Sequence, residues 1–270
     1  MLLSIRHEAV CRYDHTVSYS IQHLRLTPRA EANQRALEWR IRAPGRQRQQ
    51  IDAYGNVAHL LTLDHPHTEI SIIVSGNVET ADQNGHILHE PGLLSPLAYL
   101  ADTPLTHADD ALRDFAFGHL GPGQERFKAL RNLRAAIGDV VRLDRTAQPV
   151  SEGASTAFLR GHGGCEDQAH VFISCCRTAG IPARYVSGYH CEAGPGDAAS
   201  HAWADAWLGG DFGWVSFDVT HQRLAGGEYC RLAVGRDYLD ACPVRGVRRD
   251  GWQDTLTKTV RVAAAHQQQQ

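Results

Sequence analysis

The chain has 270 residues, of which 43% are hydrophobic and 21% charged, with a net charge of −3. That length can bury a substantial core without disulfide or metal staples. The weak charge gives no electrostatic reason to expect nucleic acid or a membrane surface as a partner. Seven cysteines, an odd number in no regular spacing, fit a reducing compartment better than secretion, so a cytoplasmic protein is expected. The opening residues 1–7 meet charge too early for a signal peptide, and no stretch approaches the roughly 20 apolar residues of a membrane span.

The N-terminal third reads as β structure. Short apolar or alternating runs at 2–13, 37–41, 57–63 and 69–74 are punctuated by Pro44-Gly45, Tyr54-Gly55-Asn56 and Gly76-Asn77. Between Pro91 and Pro104 the pattern loosens, which places a domain boundary near residue 100: an antiparallel β domain over 1–100, then a second unit over 101–270.

From 106 to 141 the spacing becomes helical, with Phe127, Leu130, Leu133 and Ile137 three and four apart, and Gly121-Pro122-Gly123 divides the segment into two helices. A further helix opens at Cys165 directly after Gly163-Gly164. It carries apolar residues at 169, 172, 173 and 176 and stops at Gly180, with Pro182 just beyond. Strands follow at 183–189, 201–208, 214–219 and 255–263, and the closing residues 266–270 form a polar tail.

Cys165 stands where a thiol can become a nucleophile. A helix N-terminus offers unpaired N–H groups and the positive end of the dipole to a thiolate, and the glycines before it leave the sulfur approachable. The same N–H groups could hold an oxyanion. In the strand over 201–208, His201, Trp203, Asp205 and Trp207 share one face. If Gly209-Gly210 is a two-residue hairpin turn, His201 lies directly opposite Asp218, with Cβ atoms about 4.5–5.5 Å apart. A carboxylate so placed orients the imidazole and leaves its other nitrogen for the thiol. A turn centred on Asp211 would instead put the two on opposite faces, and His201 could simply be a structural strand histidine.

These residues resemble a known family. Gly164-Cys165 with Asp167 and Ala169-His170, then His201-Ala202-Trp203, then Gly213-Trp214 with Phe217-Asp218 are similar to the three signature blocks of the transglutaminase-like superfamily. Residues 180–189, and Gly235-Arg236-Asp237-Tyr238 with Pro243 and Gly246, resemble its bacterial branch, as do residues 24–29 and 52–56 near the start. The resemblance implies an α+β fold: an N-terminal antiparallel β domain followed by a papain-like, transglutaminase-like core in which a cysteine-bearing helix packs on an antiparallel sheet. It implies Cys165, His201 and Asp218 as a catalytic triad acting on peptide or isopeptide carboxamides through a thioester, as a cysteine protease, amidase or acyltransferase. Two departures stand out: Glu166 follows the cysteine where a basic residue is common, and Val219 follows Asp218 where proline is common.

Neither a cofactor nor a metal is expected. The set His162, Cys165 and His170, with Cys175, Cys176 and Cys191 nearby, lacks the spacing of a zinc knuckle, and no acidic loop suggests calcium. His170 and the Cys175-Cys176 pair read as packing residues, and Asp167 as a cap of the first helical turn. Trp203, Trp207 and Trp214 could line an acyl-binding cleft or fill the core, and Arg184 and Tyr185 are equally open. Specificity is expected from the loops over 151–163 and 192–200. The competing reading is a non-catalytic binding module that keeps the fold.

Overall fold

The computed structural model describes residues 1–83, 85–87, 94–146, 152–191, 200–210, 212–248 and 254–264. In chain order, six strands come first: β1 (Leu2–Val17), β2 (Ser20–Leu24), β3 (Gln34–Arg42), β4 (Arg46–Ile51), β5 (Val57–Leu63) and β6 (His67–Thr80). The short β7 (His86–Ile87) and a 3-10 turn, Pro96–Leu100, lead to helices α1 (Asp110–His119) and α2 (Arg126–Val140). Then follow β8 (Arg142–Leu143), α3 (Ala154–Arg160), β9 (His162–Gly163) and α4 (Cys165–Thr178). The chain closes with β10 (Ala183–His190), β11 (Ser200–Trp207), β12 (Trp214–Asp218), β13 (Arg223–Leu224), β14 (Tyr229–Gly235), α5 (Tyr238–Ala241), β15 (Val244–Arg248) and β16 (Asp254–Ala264). The polar tail over 266–270 lies outside the described residues.

The central sheet runs β13-β12-β11-β10-β14, antiparallel throughout, with β7 added to β12. Helix α4 is covered on all sides. Its apolar residues Ala169, Val171, Phe172, Ile173, Cys175 and Cys176 share one core with Leu112, Leu130, Leu133 and Ile137 of the flanking helices and with Ala202, Ala204, Ala206 and Phe217 of the sheet. The small alanines of β11 let the helix approach closely. Buried polar groups on α4 are paired as burial demands: Gln168 Nε2 donates to Val141 O at 2.8 Å, and the Arg177 guanidinium binds carbonyls of Tyr99, Ala183 and Arg236 and the Thr106 hydroxyl.

Two further sheets, β16-β1-β6-β3 and β15-β2-β5-β4, enclose a second core built from Leu3, Ile5, Leu24, Leu61, Ile70 and Ile72. Both are completed by strands from the far end of the chain: β15 pairs with β2, and β16 with β1. The two halves meet along β14, the edge of the central sheet. Gln34 bonds both the N–H and the carbonyl of Arg231 at 2.8 Å, and Asn56 does the same for Val234 at 2.9 and 2.8 Å. Two side-chain amides thus stand in for a missing neighbouring strand and shield the edge.

Below that edge lies a buried ionic ladder. Asp205 is bound by Arg184 Nε at 2.8 Å, by the Arg231 guanidinium and by the Ser216 hydroxyl at 2.7 Å. Glu31 lies 3.0 Å from Arg231 Nε and 2.8 Å from Arg29 Nε, and Arg29 also reaches Asn56. Arg25 pairs with Asp52 at 2.9 Å, and Asp52 accepts from the backbone of Tyr54 and Asn56. The segments 24–29 and 52–56, set apart in the sequence as motifs, are therefore a joint between the β region and the central sheet.

Candidate active site

Cys165 is the first residue of α4, and the positions before it are shaped for it. Asp167 Oδ2 accepts from the Gly164 N–H at 3.0 Å, capping the helix. A Cβ on Gly163 would lie 2.4 Å from that same oxygen, so the cap excludes a side chain there. By helix geometry the amides of Cys165, Glu166 and Asp167 have no acceptor within the helix.

The Cys165 thiol is half-buried and donates to Glu166 Oε2 at 3.3 Å. The backbone N–H of Ala202, the residue after His201, is close enough to the same sulfur to favour its charged form. This contact sets the thiol against the start of β11. Burial, followed by the Glu166 carboxylate, pushes the thiol pKa well up, and the Ala202 N–H acts in the opposite sense. The sequence expectation of a thiolate favoured by the helix N-terminus meets a local environment that favours the neutral thiol. The difference lies first in burial, which disfavours the charged form, and then in Glu166, whose charge is nearer than the diffuse helix dipole.

His201 and Asp218 meet: His201 Nε2 lies 2.7 Å from Asp218 Oδ2, with both side chains buried. They do so in a register unlike the expected one. The loop after β11 is longer than two residues, with the Leu208 N–H donating to Gly213 O and Trp207 paired with Trp214. Gly209, Gly210 and Gly213 all adopt positive φ within it. Ala204 therefore faces Phe217, and His201 lies diagonal to Asp218 instead of opposite it. The displacement is an even number of residues, so the shared face survives, and a long imidazole spans the diagonal. Gly188 is the partner of His201 on β10, where a Cβ would sit 2.2 Å from the Cys230 carbonyl.

Asp218 serves more groups than the sequence suggested. His221 Nδ1 also lies 2.7 Å from Oδ2, the Tyr229 hydroxyl donates to that oxygen at 2.6 Å, and the His221 N–H donates to Oδ1 at 3.2 Å. Burial alone would raise the Asp218 pKa, but His201, reinforced by the His201 and His221 hydrogen bonds, holds it below the usual carboxylate range. His190 packs into the same group, its ring 4.1 Å from His221 and 5.7 Å from His201. Burial, then the proximity of His221 and His201, lowers the His190 pKa to about 3. None of His190, His221 and Tyr229 is apparent in the sequence. The one local signal for any of them is that His221 follows Asp218 by three residues.

Trp207 is half-buried, with its ring against Trp214. Trp203 and Trp214 are core residues: Trp203 packs on Tyr229, while Trp214 packs on Tyr99 and under the Arg184 guanidinium, 4.3 Å away. Arg184 is spent on Asp205, and Tyr185 stacks near His170. His170 is fully buried and accepts from the Tyr238 N–H at 3.0 Å. Of the two segments expected to be specificity loops, 151–163 instead forms α3 and β9 over most of its length, and residues 151 and 192–199 lie outside the described residues.

Residues 113–219 match the transglutaminase-like superfamily, and residues 3–79 match the bacterial transglutaminase-like N-terminal region. The chain belongs to the transglutaminase-like superfamily. This is a family of cysteine-dependent enzymes. An uncharacterized protein of Mycobacterium tuberculosis (strain H37Rv) is 28% identical over 270 residues, covering 90% of this chain and 86% of its own length. One from Mycobacterium leprae is 28% identical over 254 residues, covering 87% and 88%. Among solved structures, a candidate cysteine protease from Cytophaga hutchinsonii superposes with a TM-score of 0.80 at 21% identity, covering 100% of this chain and 92% of its own, which fixes the fold. Among the described residues no helix is long and apolar enough to cross a membrane.

Proposed function

We propose that this transglutaminase-like protein is a cysteine-dependent amide hydrolase or acyltransferase with Cys165 as nucleophile, His201 as base and Asp218 as the group that orients the histidine. The observation that carries this reading is the 2.7 Å bond from His201 Nε2 to the buried Asp218 carboxylate. A carboxylate at Nε2 requires the proton there and leaves a lone pair on Nδ1. The Ala202 N–H, one residue on, meets the Cys165 sulfur.

Because the resting thiol is neutral, proton transfer accompanies attack. His201 Nδ1 takes the thiol proton as sulfur bonds to the carbonyl carbon of a peptide or isopeptide carboxamide. The free amides of the first α4 turn are placed to receive the oxyanion. Collapse of the adduct expels the amine or ammonia, which takes the proton from His201 and leaves a thioester on Cys165. Water or a second amine, losing a proton to His201, then releases the acyl group. In this reading residues 101–270 form the catalytic unit and the β region over 1–100 braces its sheet. The seven free cysteines suit a reducing cytoplasm. The weak net charge fits a peptide or protein substrate better than nucleic acid.

A non-catalytic module with the same fold draws on one observation, the Glu166 carboxylate that holds the thiol protonated. Intact-mass analysis after mixing with an activated ester or a glutamine-containing peptide separates the two. An acyl adduct on Cys165, absent in Cys165→Ala and slowed in His201→Ala, supports the enzyme. A protein that never acylates at Cys165 is the module.

A further inference from the structure

We propose that His201, His221 and Asp218 form a binding site for a divalent transition metal of the zinc type, and that occupancy of this site switches the enzyme off. The donor atoms, one from each residue, lie within 4.8 Å of one another. Both imidazoles already converge on a single carboxylate oxygen, each at 2.7 Å. Two imidazoles and one carboxylate suit zinc, cobalt or nickel, whereas calcium and magnesium require an all-oxygen shell. The surroundings have the features of a metal site. The Tyr229 hydroxyl, 2.6 Å from Asp218, supplies the outer hydrogen bond that fixes a ligating carboxylate. His190, only 6% exposed, carries a buried Nε2 without a hydrogen-bond partner and packs on His221, placing a third imidazole beside the cluster. The sequence directed attention to a different set, His162, Cys165 and His170, which does not assemble among the described residues.

The inhibition follows from tautomers. In the metal-free site His201 holds its proton on Nε2, facing Asp218, and its Nδ1 lone pair is free. Metal takes the Nε2 lone pair, so the ring proton moves to Nδ1, and His221 makes the reverse exchange, from Nδ1 to Nε2. No proton is lost, but His201 Nδ1 can no longer accept one from the Cys165 thiol. The metal therefore blocks the base without touching sulfur. The inhibitory consequence rests on the proposed role of His201; binding itself does not.

Zinc titration of the full chain by calorimetry, with Cys165→Ser alongside, tests the site without recourse to turnover. One zinc per chain, bound equally by both proteins and at least about tenfold more weakly by His221→Gln, is the expected result. Loss of binding in Cys165→Ser, or no weakening in His221→Gln, overturns the proposal. If His221→Gln fails to fold, cobalt bound to the unmodified protein decides: d–d bands without a thiolate-to-cobalt charge-transfer band support the histidine–aspartate site, and a strong charge-transfer band refutes it.

Discussion

His201 reaches Asp218 along a diagonal of the sheet, with Trp203 closer to the carboxylate in register than the histidine that binds it. The carboxylate is held by its surroundings, with His221 and Tyr229 anchoring the oxygen that His201 binds. Replacing Asp218 with Asn keeps the shape but lets the amide present N–H to Nε2, favouring the wrong tautomer. Turnover should fall by about 10⁴-fold, as expected when an orienting carboxylate is lost. Steady-state rates with an amide substrate would show this, and near-normal turnover would remove Asp218 from the mechanism.

Glu166 should act as a brake on the thiol. Its carboxylate, 3.3 Å from Cys165 Sγ, adds to the effect of burial in keeping the proton on sulfur. Glu166→Gln therefore lowers the thiol pKa and speeds alkylation at pH 7 by about tenfold, the size of one pKa unit. The pH profile of iodoacetamide modification at Cys165, located by mass spectrometry, reads this directly. An unchanged profile would mean that the two side chains do not interact in solution.

The fold should lose stability in mild acid. His170 is neutral in the folded chain because burial, then Arg177, lowers its pKa to about 3 from an ordinary value of 6.5. Below pH 6.5 the unfolded chain takes up a proton that the folded chain refuses, so stability falls as the pH drops from 6.5 towards 3, at up to about 1.4 kcal/mol per pH unit. His190 contributes in the same direction over the same window. Urea midpoints measured through this range should have a shallower slope in His170→Gln, which can still accept from the Tyr238 N–H.

The ionic ladder should be sensitive to removal of its middle rung. Asp205 is fully buried between Arg184 and Arg231, and the two guanidiniums, helped by the Ser216 hydroxyl, outweigh burial and hold its pKa below the ordinary value. Asp205→Asn removes the carboxylate that two buried guanidiniums share and should cost about 3–5 kcal/mol, visible as a large drop in melting temperature. A small drop would mean that water or Glu31 takes over.

Much of this was legible from residue patterns with strong local causes. The helix at Cys165 follows Gly163, where the Asp167 cap leaves no room for a side chain, and ends before Gly180, whose positive φ turns the chain away, and the run over 57–63 reads as the strand it forms. Other elements carry no such signal. All six residues of β4 are exposed, so no apolar alternation marks it, and α3 is too short for helical periodicity to register. The shared face of His201 and Asp218 followed from strand parity, but the register depended on a loop whose length the glycines alone do not fix. His190 and Tyr229 join the site through pairings between strands remote in sequence, which composition cannot foretell.

The pairing of β16 with β1, in which Leu3 lies beside Ala264, has a consequence for how the protein is made. During synthesis β1 leaves the ribosome long before β16 and must wait for every element between them before gaining its second neighbour. The central sheet and α4 are complete earlier, since β14 precedes β15 and β16. The helix bearing Cys165 can therefore pack before the N-terminal sheets close, and β1 stays half-paired until late. Removing β16 should leave a strand edge exposed at the opposite end of the sequence, so that a C-terminal lesion is felt first at the N-terminus.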